Sequence, residues 1–451
     1  MAAIDKMEMK PVQGAVRQPV APTSEDWQRL KENWKESPDV PVVDVLVPVY
    51  RGFAETMRCL YNVLFFEQKT PYRLVVVDDC SPDAELKAAI QGLSAQGFLD
   101  LHQTRENLGF VGACNLGLAL HTDRDVILLN SDAEVYNDWL DRLRIAAYRT
   151  PKTASVTPFS NNATICSYPY FVKDNIESLE IEDSQLDRLA ADVNAECEVD
   201  IPTGVGFCMY VRRACLAEIG FLDEENFGKG YGEENDLCMR AKAAGWRNII
   251  APNVFVRHYG ATSFGAIKTE RIKAAMKVIE RLHPSYSDLV DAFVEKDPIR
   301  PFRENLDKAR ILCRPKDKAV MFVMHKWGAR ADHYAQDLLK SLAAEEGHIF
   351  FCRPTSKSAS KIQIFGWRPK ETPNLPIFDM KRDQNKLVDF LSQLGVSHLS
   401  VCAIEGFSDK IEKFILLACQ EGRIECGIKR FRYKATLAPW DRLLTYLKEL
   451  F

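Results

Sequence analysis

The sequence predicts an α/β protein built around a mostly parallel sheet. Short apolar runs alternate with stretches in which apolar residues recur at helical spacing. Two of these runs, at residues 74–77 and 126–129, end abruptly in short polar residues, which is typical of buried parallel strands that open into loops. Ligands bind beyond the carboxyl ends of strands in open α/β sheets. We therefore expect a site where these runs stop.

Length and composition indicate more than one domain and a sizeable core. The chain has 451 residues, of which 46% are hydrophobic and 27% charged, and a domain usually takes roughly 100–200 residues. The net charge of -4 gives no electrostatic basis for binding nucleic acid. The 13 cysteines form no C-x-x-C pair, which argues against zinc and disulfides and fits a reducing cytosol. Without an 18-residue apolar run or the apolar core of a signal peptide, we expect a cytoplasmic protein.

Four segments are predicted along the chain. Residues 1–40 form a flexible lead with a short helix, in which Ser24 is the expected cap and Trp27, Leu30 and Trp34 form one stripe. The stripe suggests docking onto the main domain, with a partner site as the alternative. Residues 41–300 form the main α/β domain, 301–318 a Pro-bearing linker, and 319–451 a smaller α/β, Rossmann-like unit.

Strands and helices alternate through the main domain. Strands are predicted at residues 42–50, 74–79, 98–102, 125–129, 201–210 and 254–260, and helices between them. A glycine-rich loop at 227–232 leads directly into an acidic helix start. Residues 174–200 hold ten acidic residues and one basic residue, and predict a solvated helical insertion. Either an inert acidic face or a lid over the acceptor would explain that insertion.

The last twenty or so residues carry a basic segment and then an amphipathic pattern. Basic residues cluster at 429–434, and Trp440 is followed by leucines at helical spacing. This pattern is compatible with peripheral contact to an anionic membrane surface, and equally with packing on its own domain.

Asp132 and Glu134 follow the strand at 125–129 and would stand where a hard cation meets a diphosphate. The alternative is an ordinary Ser-Asp helix cap after a strand.

Five stretches, taken together in their order and spacing, resemble the family 2 glycosyltransferases of the GT-A fold. They are Val47-Pro48-Val49-Tyr50, Val77-Asp78-Asp79, Asn107-Leu108-Gly109-Phe110, Leu129-Asn130-Ser131-Asp132, and Gly232-Glu233-Glu234-Asn235-Asp236 with His258. Residues 157–164 and 230–236 are more specifically similar to bacterial rhamnosyltransferase-like enzymes that build surface polysaccharides. The C-terminal unit faintly resembles part of a GT-B glycosyltransferase, through residues 320–324, Gly328 and His333. It is too short for both GT-B halves, so a truncated or non-catalytic appendage is expected.

The resemblance implies a nucleoside-diphosphate sugar donor and a divalent cation. Asp132 matches the last acid of the family's Asp-x-Asp motif, and Asn130 replaces the first acid. His258 matches a late metal-ligand histidine, although a histidine at a strand end is often structural. Mn²⁺ or Mg²⁺ is the expected cofactor, and imidazole suits Mn²⁺ better. Asn130 and Ser131 are expected to contact the sugar nucleotide, and Glu134 to lie behind the ligands.

The resemblance also implies a general base and a nucleotide pocket. Glu234 occupies the base position of the acidic pair Glu233-Glu234, and Asp236 is expected to orient the loop or the acceptor. These acids would alternatively only stabilise a helix N-terminus. The residues expected to bind the nucleotide sugar are Pro48, Tyr50, Asp78, Asp79, Asn107, Gly109 and Asn115. No G-x-G-x-x-G follows the first strand, which counts against a dinucleotide site.

The sequence therefore predicts an inverting, metal-dependent glycosyltransferase that extends a surface glycan, with rhamnose as one candidate sugar. Its expected partners are the donor and a glycan or lipid-linked oligosaccharide acceptor at the cytoplasmic membrane face. One alternative is a sugar-nucleotide-forming nucleotidyltransferase, for which Tyr50-Arg51-Gly52 is a poor match to a Gly-rich loop. The other is a catalytically degenerate transferase that binds glycan or acts as a scaffold.

Overall fold

The computed structural model describes residues 16–34, 39–260, 265–313, 319–323, 349–355, 358–366, 372–404 and 425–431. The chain divides into two compact units, one formed by Lys10–Leu306 and one that includes Asp307–Phe451. The helices are α1 Ser24–Asn33, α2 Phe53–Phe65, α3 Ala84–Ala95, α4 Gly109–Leu118, α5 Trp139–Arg149, α6 Asp183–Val193, α7 Arg213–Ile219, α8 Glu224–Phe227, α9 Glu233–Ala243, α10 Gly265–Leu282, α11 Tyr286–Lys296, α12 Arg300–Leu312 and α13 Gln384–Gln393. The strands are β1 Val43–Val49, β2 Tyr72–Asp78, β3 Asp100–Gln103, β4 Asp125–Leu129, β5 Ala133–Glu134, β6 Thr153–Ser160, β7 Val199–Asp200, β8 Cys208–Val211, β9 Arg247–His258, β10 Ala319–Val323, β11 Ile349–Thr355, β12 Ser358–Gly366, β13 Ile377–Asp379, β14 Val396–Ile404 and β15 Glu425–Phe431.

The larger unit is built on one sheet with the strand order β3-β2-β1-β4-β8-β6-β9-β5, and β7 pairs with β9. β3, β2, β1 and β4 pair in parallel with one another, and β6 pairs in parallel with β9. β8 runs antiparallel to both β4 and β6, so that β6 and β9 share the direction of β4. The prediction of an α/β domain with a mostly parallel sheet is confirmed. β4 and β6 are buried along their whole length, as expected for strands covered on both faces.

The acidic segment at 174–200 differs from its prediction, because its helix is not a solvated face. In α6, Asp183 and Asp187 are 2% and 0% exposed. Asp187 accepts a hydrogen bond of 2.5 Å from Arg142, while Arg257 binds Asp183 through both Nε and NH2. Two of the ten acids in this segment therefore balance buried arginines of α5 and β9. Six of the others are exposed: Asp174, Glu177, Glu182, Asp192, Glu196 and Asp200.

Residues 16–34, here called the N-terminal segment, lie on the surface of the larger unit. Thr23, not the predicted Ser24, caps α1: Asp26 N donates to Thr23 Oγ1 over 3.1 Å, and Thr23 N donates back to Asp26 Oδ2 over 2.8 Å. The Trp27 ring meets that of Tyr61 edge-on at 5.2 Å, and Trp34 meets Phe98 at 5.0 Å. The predicted docking of the tryptophan stripe onto the main domain is thus observed.

The smaller unit has a second sheet in the order β13-β12-β11-β10-β14-β15. β11, β10, β14 and β15 pair in parallel, whereas β12 and β13 pair antiparallel to their neighbours. Gly328, His333 and the tail beyond residue 431 lie outside the described residues, so the GT-B resemblance and the membrane contact stay predictions. The predicted linker at 301–318 includes most of α12. None of the helices in the described ranges has both the length and the hydropathy of a membrane span.

Candidate active site

Asp132 and His258 lie side by side at the carboxyl end of β4. Two backbone contacts bring them together: Ala133 pairs with His258 in the β5–β9 ladder, and Tyr259 N donates to Asp132 O over 3.1 Å. Asp132 Oδ1 is 3.4 Å from His258 Nε2. The structure thus joins two residues that stand more than a hundred positions apart in the sequence.

The neighbours of the His258 ring determine which of its nitrogens faces Asp132. Nδ1 is 2.8 Å from the backbone oxygen of Asn162, which can only accept, so Nδ1 carries the proton in the neutral ring. Nε2 then presents a lone pair toward Asp132 and toward Asn130 Nδ2, which lies 3.5 Å away. The ring of Phe207 stacks on the imidazole with centroids 5.2 Å apart and planes 22° apart.

The charge state of Asp132 also suits a cation. Burial alone would raise the pKa of this carboxyl, but the charge and hydrogen bond of a protonated His258 ring, together with the backbone N–H groups of Asp132 and Gly260, outweigh it and lower the pKa below its usual value. Asp132 is therefore ionised at neutral pH.

The residues present fit one divalent ion as a partial ligand set. Two ligands bound at roughly 2.1 Å to one ion stand about 3 Å or more apart, in agreement with the 3.4 Å between Asp132 Oδ1 and His258 Nε2. Asn130 Oδ1 is buried and has no hydrogen-bond partner among the described residues. In that part of the chain no cluster of three His, Cys, Asp or Glu side chains could hold a metal, so remaining ligands would have to come from phosphate and water.

Glu134 is buried and held by protein donors. Tyr259 and Tyr136 donate their hydroxyls to its two oxygens over 2.6 and 2.8 Å. Arg17 of the N-terminal segment lies 3.7 Å from Glu134 and donates to Asp183 over 2.5 Å. Glu134 therefore lies behind Asp132, in a supporting position.

Glu233 and Glu234 begin α9, directly after Gly232 with its positive φ of 91°. Burial raises the pKa of Glu233 to about 8, and the neighbouring Glu234 adds to the effect. Burial likewise raises the pKa of Glu234. Glu233 Oε2 has no hydrogen-bond partner in the described ranges. Two carboxyl groups this close cannot both ionise easily, so the pair retains a proton near neutral pH.

Asp236, one turn further on, is buried and fully partnered. Arg240 Nε donates to one of its oxygens over 2.7 Å, and His283 Nε2 lies 2.7 Å from the other. Arg240 also donates to the carbonyls of Ile219 and Phe221. Asp236 thus ties the start of α9 to the segment before α8, an arrangement suited to orienting a loop.

Residues 206–207 are close both to Glu234 and to the residues around Asp132 and His258. A Cβ added at Gly206 would lie 3.7 Å from Glu234 Cβ and Cγ. The next residue, Phe207, accepts a hydrogen bond of 2.8 Å from Asn130 N and stacks on His258. Gly206 therefore lies beside Glu234, and the adjacent Phe207 lies beside the metal-ligand candidates.

The predicted nucleotide residues at the end of β2 are already bonded within the protein. Asp78 accepts from Ser81 N and Gln103 Nε2 over 2.8 and 2.9 Å. Asp79 accepts from the backbone N–H groups that open α4, those of Leu108 and Gly109, each over 2.8 Å. These carboxylates shape the loop after β3, and their contact with a nucleotide stays a prediction.

The other predicted nucleotide residues fall into three groups. The Asn115 side chain bonds the backbone of Leu222 in both directions, at 2.9 and 3.1 Å, and holds a loop. Asn107 and Gly109 lie against Lys229, whose Nζ donates to Asn107 Oδ1 over 3.2 Å. Pro48, Tyr50 and Ser131 are half-buried near the strand ends.

Three residues at this site were not predicted from the sequence: Asn161, Asn162 and Phe207. Asn161 and Asn162 stand within the stretch at 157–164 that carried part of the resemblance, but an Asn-Asn pair ordinarily indicates a turn. Phe207 lies within a run predicted as strand, where an aromatic residue is usually assigned to the core.

Comparison with known proteins gives one family match. Residues 44–220 match the family model described as Glycosyl transferase family 2. The matched range includes Asp132 and ends before α9 and β9, so Glu233, Glu234 and His258 lie beyond it. No curated protein matches the chain.

Two solved structures illustrate the range of structural similarity. A crystal structure of GalNAc-T7 with UDP, GalNAc and Mn²⁺ is 15% identical, with 67% of each chain covered and a TM-score of 0.41. The mannosyltransferase PcManGT from Pyrobaculum calidifontis, in complex with GDP-Man and Mn²⁺, is 18% identical, with 71% of this chain and 81% of that chain covered and a TM-score of 0.37. TM-scores of this size support no inference about the chain. Residues 44–220 are therefore similar to Glycosyl transferase family 2, and the sheet that they help to form is mostly parallel, in an α/β fold.

Proposed function

We propose that the chain transfers a sugar from a nucleoside-diphosphate donor to a hydroxyl group of a glycan, with inversion at the anomeric carbon. The observation that carries this proposal is the arrangement around residues 206–207, with a cation-binding pair on one side and a proton-accepting pair on the other. Sugar transfer needs both: a negative leaving group must be neutralised and an acceptor hydroxyl must lose its proton.

Asp132 and His258 are the residues that would hold Mn²⁺ or Mg²⁺, with Asn130 beside them. Such an ion supplies charge neutralisation to the departing diphosphate. The sequence and the site offer one carboxylate and one imidazole for this purpose, and an imidazole ligand favours Mn²⁺ over Mg²⁺.

Glu234 is the proposed general base. It is half-buried and packs along Gly206, whereas Glu233 is 5% exposed and has a pKa raised to about 8 by burial and by Glu234. The pair holds one proton near neutral pH, and it is the form with Glu234 ionised that would accept the proton of the acceptor hydroxyl. Asp236 keeps the first turn of α9 in place.

We further propose, on the resemblance alone, that the product is a surface glycan built on a lipid-linked acceptor and that rhamnose is a candidate sugar. A catalytically degenerate module that only binds glycan is the second candidate. Its specific support is Asn130, which occupies the place of an acid and leaves a single carboxylate in the metal set.

The test is hydrolysis or transfer with a panel of nucleotide sugars, with and without Mn²⁺. We expect Mn²⁺-dependent turnover of at least one donor. Glu234→Gln should abolish turnover and leave donor binding nearly intact, whereas Glu225→Gln, an exposed glutamate of α8, should retain full activity. Asp132→Ala should lose metal-dependent nucleotide binding. If no donor is turned over and glycan binding is preserved, the catalytically degenerate module is favoured.

A further inference from the structure

We propose that Asn161 and Asn162 are positioning residues that fix His258 in the tautomer and orientation required to bind the metal of the proposed reaction. The inference rests on the proposed function and concerns the point where β6 leaves the sheet. It assigns a task to a part of the 157–164 stretch that the proposed mechanism does not use.

The Asn161 side chain makes the hydrogen bonds that a neighbouring strand would otherwise make to His258, the last residue of β9. β6 and β9 are parallel as far as the pair Ser160 and Val256. Beyond it, His258 N donates to Asn161 Oδ1 over 2.8 Å, and Asn161 Nδ2 donates to His258 O over 3.0 Å. A carboxamide thus holds both backbone groups of His258, in the manner of a neighbouring strand. Asn161 is 5% exposed, so water competes poorly for these bonds.

The backbone of Asn162 fixes the imidazole ring. Its carbonyl oxygen lies 2.8 Å from His258 Nδ1 and leaves Nε2 directed at Asp132 Oδ1. Its side chain lies where a Cβ of Gly260 would be, and Gly260 has a φ of 65°. The chain that leaves His258 is therefore confined by the same residue that selects the tautomer.

Asn161 is itself held by the loop that follows. Asn175 donates to Asn161 O from its backbone N over 2.8 Å and from its side chain over 3.1 Å. The Asn175 side chain also donates to the carbonyls of Tyr170 and Lys173 over 3.0 Å each. The loop at 170–175 and the end of β9 are consequently one hydrogen-bonded body.

Partners of this kind matter because a ligating histidine usually donates its second N–H to a carbonyl or carboxylate, which sets ring orientation and basicity. Removal of such partners typically costs about 10- to 100-fold in metal affinity. Among the described residues, the Asn162 carbonyl and the stacked ring of Phe207 restrain the imidazole itself, and the Asn161 carboxamide restrains the backbone that carries it.

A first experiment reads the tautomer directly, on the full chain without metal. Histidine labelled with ¹⁵N gives an NMR signal for His258 that is assigned by its disappearance in His258→Gln. We expect protonated Nδ1 and unprotonated Nε2 at a pH where the ring is neutral. Asn161→Ala should shift or broaden this signal, because it removes both side-chain bonds to the His258 backbone. The opposite tautomer in the unmutated protein overturns the inference.

A second experiment measures Mn²⁺ affinity from the EPR signal of the free ion. We expect Asn161→Ala to raise the Kd for Mn²⁺ by about 10- to 100-fold. Asn248→Ala is the matched control, because Asn248 is a buried asparagine at the other end of β9 that bonds Ser155 and the carbonyl of Cys238. The Asn248→Ala protein should be less stable than the unmutated protein and should bind Mn²⁺ with an unchanged Kd.

The outcomes separate this inference from the function on which it rests. If Asp132→Ala loses Mn²⁺ binding while Asn161→Ala keeps it and is only less stable, the positioning role is wrong and the proposed function stands. If Asp132→Ala binds Mn²⁺ like the unmutated protein, the proposed metal site itself is wrong.

Discussion

Replacing Glu233 with glutamine tests how the acidic pair at the start of α9 carries its proton. Burial and the adjacent Glu234 raise the pKa of Glu233 from 4.5 to about 8 in the folded protein. Between these two values the folded state binds a proton that the unfolded state has released. The unfolding free energy of the unmutated protein must therefore fall as the pH rises through this window, and the favourable contribution is complete only below about pH 4.5.

The size of the effect follows from the proton linkage. One fully linked proton changes the unfolding free energy by about 1.4 kcal/mol per pH unit, which amounts to about 3 kcal/mol between pH 5 and pH 7.5. Because Glu234 shares the proton, this value is an upper bound. Glutamine keeps the shape of the side chain and binds no proton, so Glu233→Gln should be stabilised relative to the unmutated protein by up to that amount as the pH rises.

The assay is urea unfolding of both proteins at several pH values between 5 and 7.5. Glu225→Gln serves as the control, because Glu225 is exposed on the neighbouring helix α8 and its replacement should leave the pH slope unchanged. A difference between Glu233→Gln and the unmutated protein that is constant over the whole range would refute the reasoning and show that Glu233 is ionised in the fold.

Three further predictions concern packing and charge. Asp187→Ala leaves Arg142 buried without its 2.5 Å partner and should lower the unfolding free energy by about 3–5 kcal/mol in urea titrations; a loss below about 1 kcal/mol would mean that water reaches the arginine. Gly109→Ala places a Cβ 2.7 Å from Lys229 Cα at a φ of +80° and should cost at least about 1–2 kcal/mol, measured in the same way and contradicted by unchanged stability. Trp27→Ala removes an aromatic contact of α1 and should speed tryptic cleavage of residues 16–34, whereas cleavage at the original rate would show that α1 is held by other contacts.

The sheet could be predicted from the sequence because its strands are buried on both faces and therefore appear as uninterrupted apolar runs. β4 is buried along its whole length and ends one residue before Asn130, as the pattern indicated. β3 was predicted at 98–102, but residues 98–99 precede the strand and only 100–103 pair with β2. Short edge strands with few apolar residues give a weak pattern, so their ends are poorly defined.

Charges were harder to place than strands, because a count of acids does not show where their partners lie. Asp183 and Asp187 belong to a segment rich in acid, but they bind Arg257 and Arg142, which stand 74 and 45 positions away. Such pairs cannot be predicted from the residues that surround each aspartate in the sequence. The adjacency of Asp132 and His258 was implied only by the resemblance, since it depends on the two-residue ladder between β5 and β9.

The N-terminal segment limits how far the larger unit can be shortened. Arg17 stands well before the family match begins, but it supplies one of two cations that face Glu134 and Asp183, the other being Arg257. A fragment trimmed to the family match at residues 44–220 would keep both carboxylates but lose Arg17 and Arg257, the two arginines described here that bind Asp183. Asp183 would then be buried without either cation, so a stable fragment of the larger unit should include both Arg17 and β9.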